Sequence, residues 1–76
     1  MLYMQGTYRL NRTTVAIDRT DGETSCFQVP EGMLVLINGA HREGNLVEVF
    51  YAGRRLLMFE DDLRERALPF PRGAIA

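Results

Sequence analysis

Apolar residues in this chain fall in short alternating runs, and the runs are separated by glycine, proline and asparagine. That is the period-two signature of half-buried strands broken by turns. Thr7–Leu10 and Thr13–Asp18 read as the first strands. Tyr8 and Leu10 alternate, and so do Val15 and Ile17, but on the opposite parity. A bulge or bend at Asn11-Arg12 is needed to bring both pairs to one face. Asp21-Gly22 is a reverse-turn signal leading into a strand over Thr24–Val29. Pro30-Glu31-Gly32 ends it, since proline has no N–H to donate and glycine permits positive φ.

The next run, Gly32–Asn38, is the most apolar, and Asn38 to Asn45 reads as a loop. Leu46–Ala52 and Arg54–Glu60 then form a hairpin across Ala52-Gly53. In its first arm Val47, Val49 and Tyr51 share one face, opposite Leu46, Glu48 and Phe50. In its second arm Leu57 and Phe59 lie opposite Leu56 and Met58, so both faces are apolar. Asp62-Leu63-Arg64-Glu65 has capping-box form with Asp62 as N-cap, and Pro69 and Pro71 limit the helix to one or two turns. Acids at the start of that turn and Arg64 and Arg66 near its end suit the helix dipole.

Five or six short antiparallel strands with one helical turn near the C-terminus make an all-β fold, a small SH3-like barrel. The expected interior is Val15, Ile17, Phe27, Val35, Ile37, Val47, Val49, Leu57, Phe59 and Leu63. That assignment sends Leu34, Leu36, Phe50, Leu56 and Met58 outward, where neighbouring strands merge them into a candidate interaction surface. The barrel domain is expected over residues 1–67, with an extended or disordered tail at 68–76, LPFPRGAIA, that either stays mobile or folds back on a barrel. Near the other end LYMQG resembles an expression-tag protease site, with Met4 in place of the usual Phe.

Composition narrows the function classes. Seventy-six residues hold one core, and a domain of this size buries only about 60–65% of its unfolded surface. Self-association is one way to supplement so small a core. Cys26 is the sole cysteine, so no intrachain disulfide forms, and one His with one Cys does not build a Cys/His zinc site. A single unpaired Cys and the lack of a secretory apolar stretch point to a reducing, cytoplasmic setting. No apolar run reaches the roughly 18 residues that span a bilayer. All nine basic residues are Arg and the net charge is −1, with acids balancing arginines in every third of the chain. Such mixing suits bidentate Arg–carboxylate pairs and leaves no basic stretch for phosphates.

The segments F-Q-V-P-E-G-M-L-V-L-I (27–37) and G-N-L-V-E-V-F-Y-A-G-R-R-L-L-M-F-E-D-D-L (44–63) resemble SH3-like barrels, in particular small uncharacterised bacterial ones ending in Met-Phe and an acidic turn. The resemblance covers about Thr7 to Arg66. It implies an architecture used for binding and assembly and brings no catalytic residue or cofactor with it. Proline-peptide-binding SH3 domains line their groove with a Trp, which this chain lacks. The spacing Gly32-x-x-Val35-x-Ile37-x-Gly39 partly echoes KOW-type barrels, which add Lys and Arg where this chain has Asn38, His41, Arg42 and Glu43. The plasmid-borne dihydrofolate reductase barrel carries Val-Gln-Ile-Tyr; the nearest strand here is Leu57-Met58-Phe59-Glu60.

The polar candidates are few. His41 and Arg42 sit in the Gly39–Gly44 loop, and Arg54-Arg55 beside Phe50 and Tyr51 are the best nucleic-acid contacts, as in single-strand binders. Cys26 is expected to be small strand filling, since a nucleophile would need a base at hand. Glu60-Asp61-Asp62 reads as helix capping and not as a cation site. The expectation is therefore a non-enzymatic, cofactor-free module for self-association or for another protein, with a KOW-like nucleic-acid- or ribosome-associated barrel as the alternative.

Overall fold

The computed structural model describes residues 4–20 and 22–70. Strands β1 (Gln5–Leu10), β2 (Thr14–Thr20), β3 (Glu23–Val29), β4 (Leu34–Glu43), β5 (Leu46–Tyr51) and β6 (Arg54–Phe59) precede a short helix, α1 (Glu60–Arg66), and a last strand, β7 (Ala67–Pro69). The all-β fold with one short helix near the C-terminus is what the chain adopts, with seven strands where five or six were expected. They form one sheet in the order β3-β2-β6-β5-β4-β1-β7, each neighbour antiparallel.

The hydrogen-bonded order is open, yet the sheet curls. Laid flat, its edges would stand about 29 Å apart at strand spacing. Instead Val29 of β3 and Ala67 of β7 belong to one buried cluster with Leu10, Val35, Ile37 and Leu63. The chain after β3 returns to β1, where Gly32 N–H donates to Leu10 O at 2.8 Å and Leu10 N–H to Met33 O at 3.0 Å. Asn11 N–H donates to Arg66 O at 2.7 Å and ties the β1–β2 corner to α1.

Two-residue turns set the pairing. Ala52 and Gly53 both have positive φ, +52° and +79°, as a type I′ hairpin requires. The turn fixes Tyr51 opposite Arg54, and counting back puts Val49 opposite Leu56 and Val47 opposite Met58. Directly opposed residues share a face. Leu56 and Met58 therefore follow Val47 and Val49 into the core, at 1% and 0% exposure. This corrects the outward placement of Leu56 and Met58. Phe59 is exposed, and Leu57, though buried, lies on the other face beside Glu48 and Ile17.

β2 is also inverted relative to expectation. Thr14, Ala16 and Asp18 are buried, Val15 is exposed and Ile17 half-buried. Larger partners on β3 explain it: Ala16 opposes Phe27 and Thr14 opposes Val29, so the small β2 residues leave room for big ones across the ladder. Residues 38–45 are not a loop. β4 runs through to Glu43 with a bulge between Asn38 and Arg42, and a turn at Gly44-Asn45 leads straight into β5. Gly39 N–H in the bulge donates to Met4 O at 2.9 Å.

α1 begins two residues before the expected cap. Phe59 is the N-cap and makes no side-chain cap bond, so Asp62 lies inside the first turn. Glu60 N–H finds its acceptor in Asn45 O at 2.8 Å, which supplies one of the partners a capping side chain would. The acids in the first turn and the arginines in the last are as expected. Leu68 and Pro69, read as the start of an extended tail, are extended and pair with Arg9 and Tyr8 of β1. Residues 71–76 of that tail, Leu2 and Tyr3 of the tag-like segment and Asp21 of the expected turn lie outside the described residues. No helix among the described residues is long and apolar enough to cross a membrane.

Candidate interaction surface

The outer face of β5, β4, β1 and β7 carries a ribbon of exposed apolar residues crossed at β1 by Thr7 and Arg9. Strand register builds it in two rows. Phe50 opposes Leu36, Leu36 opposes Thr7, and Phe70 N–H donates to Thr7 O at 2.9 Å, which sets Phe70 at the end of the row. In the second row Leu34 opposes Arg9, which opposes Leu68. Leu34 and Leu36 are 44% and 47% exposed, and Phe50, Leu68 and Phe70 are exposed as well. Arg9 crosses the ribbon with its guanidinium 5.8 Å from the Phe70 ring centre. That distance is within cation–π range and lets one arginine sit on an otherwise greasy face.

Three of the five expected surface residues, Leu34, Leu36 and Phe50, are thus together, while Leu56 and Met58 are core. The ribbon gains Leu68 and Phe70 in their place. The signal for them lay in the alternation of Leu68 and Phe70 about Pro69, which suits an edge strand.

The polar candidates do not converge. Arg54 pairs with Asp18 and its guanidinium lies 5.0 Å over the Phe27 ring. Arg55 pairs with Glu48, Arg42 with Glu60, and Arg19 with Glu43. Arg54, Arg55 and Arg19 border one shallow depression together with Asp18 and Thr20, so an acid stands among its cations. His41 is exposed on the β4 bulge.

Glu48 is a buried carboxylate on the outer face. Asn38 Nδ2 donates to its Oε1 at 2.9 Å and Arg55 Nε donates to its Oε2. The Arg55 hydrogen bond holds its pKa below the usual carboxylate value, against the opposing effect of burial. Asp18 is lowered chiefly by the Thr20 hydroxyl, with Arg54 assisting. Glu60 is lowered by Arg64, four residues on and 2.8 Å away, and by Arg42. These are acids kept ionised by partners, the opposite of a carboxyl raised for proton transfer.

Cys26 is exposed on β3, where it opposes Ile17; it does not fill the core. Among the described residues no three His, Cys, Asp or Glu side chains gather in a way that could hold a metal. The void between Met4, Gly39, Arg42, Val47 and Glu60 measures about 10 Å³, room for no more than one water. No known protein family, curated protein or solved structure matches the chain.

Proposed function

We propose that this protein is a non-catalytic interaction and assembly module that presents the outer sheet face to another protein chain. The observation that carries the reading is the exposed apolar set Leu34, Leu36 and Phe50 on β4 and β5, with Leu68 and Phe70 on the far side of β1, where Thr7 and Arg9 lie between them. Exposed apolar area of this kind is characteristic of protein-binding surfaces. Leu34, Leu36, Phe50 and Leu68 stand on paired strands and Phe70 is tied to β1 by its N–H, so little ordering entropy opposes binding. Arg9 at its centre and Arg55 opposite Phe50 give the polar setting typical of such sites. The pairing of Arg54, Arg55 and Arg42 with acids supports a protein partner over a nucleic acid, since phosphates would have to displace carboxylates already in place.

Substituting Leu36→Glu with Phe50→Ser tests the reading. The doubly substituted chain is expected to keep its fold, because both side chains are exposed, and to lose whatever the unsubstituted chain retains on an affinity matrix. Identical retention by both chains would contradict it. Retention of nucleic acid that disappears with added salt would favour the KOW-like alternative.

A further inference from the structure

The two edges of the sheet are built differently. β7 is three residues long. Phe70 N–H and, two residues back, the position of Leu68 face β1, so Pro69 stands where an edge N–H would point to solvent. Shortness and an outward proline are the usual protections of a sheet edge. β3 has neither. It pairs with β2 over seven uninterrupted positions, Thr20–Glu23 to Thr14–Val29, with no proline, bulge or basic residue. Among the described residues it pairs with β2 alone.

We infer that β3 is a self-association edge, pairing antiparallel with β3 of a second copy about a two-fold axis at Cys26. The parity of the hairpin supports that register. A two-residue turn hydrogen-bonds its flanking residues, here Thr20 and Glu23, so residues 23, 25, 27 and 29 spend their backbone groups on β2. Residues 24, 26 and 28 then offer N–H and C=O to the open side. Two such edges meet with Cys26 opposite Cys26 of the copy and each Thr24 opposite a Gln28, and every offered group is satisfied. The near absence of charge along β3 lets a second copy approach without repulsion, and its one acid sets the direction. The sole charge on β3 is Glu23 at one end. Antiparallel pairing places the two copies of Glu23 at opposite ends of the ladder, whereas parallel pairing sets them side by side. Cys26, Thr24 and Gln28 are all exposed. The result is one sheet of fourteen strands, reached through a surface separate from the apolar ribbon.

The test is sedimentation velocity on the full chain and two variants, with thiol cross-linking of the unsubstituted chain. Thr24→Glu with Gln28→Glu puts two like-charged pairs across the axis and is expected to weaken the dimer about tenfold. Thr24→Glu with Gln28→Lys turns the same pairs into opposite charges and is expected to restore it. The partner across β2 from residue 24 is Arg19, so an acid there also suits the monomer. A short bifunctional thiol reagent is expected to give a covalent dimer, which with one Cys per chain has to be interchain. A dimer equally strong in all three chains, or a thiol that reacts singly but never cross-links, overturns the inference. Leu36→Glu with Phe50→Ser separates it from the ribbon: loss of the dimer there and not in the β3 variants would leave the ribbon reading standing alone.

Discussion

The β5–β6 and β2–β3 hairpins share a local design and differ in everything beyond it. Each closes with two residues, the second a glycine at φ +79°. β5–β6 sits mid-sheet, and its residues 46–49 and 56–58 are buried. β3 lies at the edge with only Val29 buried and Phe27 half-buried. Turn chemistry therefore fixes which residues oppose which. Place in the sheet decides what that opposition is worth: two enclosed arms in one hairpin, and in the other a core-facing β2 beside an arm whose outer edge stays open.

The largest effect expected from this contrast is in β6. Met58→Ala removes a fully buried side chain and should cost about 3 kcal/mol in denaturant unfolding. Phe59→Ala, one residue away on the exposed side, should cost well under half as much. Similar losses at both would break the assignment of faces. In β3, Ser25→Ala is expected to leave stability unchanged, because Ser25 is exposed.

The turn gives the next effect. Ala52 holds φ +52°, a left-handed conformation that costs a residue with a Cβ about 1–2 kcal/mol. Ala52→Asn or Ala52→Gly should raise stability by about 1 kcal/mol, read as a higher midpoint at unchanged slope. No gain would mean that the positive φ at Ala52 carries no cost in this turn.

Acid sensitivity gives the smallest effect. Asp18, Glu48 and Glu60 all have pKa values lowered by their partners. A lowered pKa contributes stability that is complete above the ordinary carboxylate range, near pH 4, and that fades as pH falls through the lowered values. The melting temperature should hold from neutral pH to about pH 5 and decline below it. Glu48→Gln should flatten part of that decline, whereas a decline of the same depth would remove Glu48 from the account.

Most of the fold was legible in alternation and turns. Strand positions, the Ala52-Gly53 turn and the burial of Val35, Ile37, Val47, Val49 and Leu63 follow from period-two patterning. Leu56 and Met58 went astray because hydropathy cannot choose between two apolar faces. The turn could have chosen, since two residues at positions 52–53 force 49 opposite 56. β2 misled for another reason: its apolar residues, Val15 and Ile17, point away from a core face made of Thr14, Ala16 and Asp18. Only the size of Phe27 and Val29 across the ladder explains that choice, and it is a nonlocal fact. Glu60 as the start of α1 rested on a backbone bond to Asn45, also nonlocal. Of the interaction surface, Leu34, Leu36 and Phe50 were readable, while Leu68 and Phe70 needed the pairing of β7 with β1.

The proposal most open to a direct test is the pairing of β3 with β3 of a second copy. Sedimentation velocity of the unsubstituted chain, over roughly 1–200 µM, tests it most directly. The sedimentation coefficient is expected to climb from the monomer value toward that of a dimer. A single monomeric species at every concentration would contradict it.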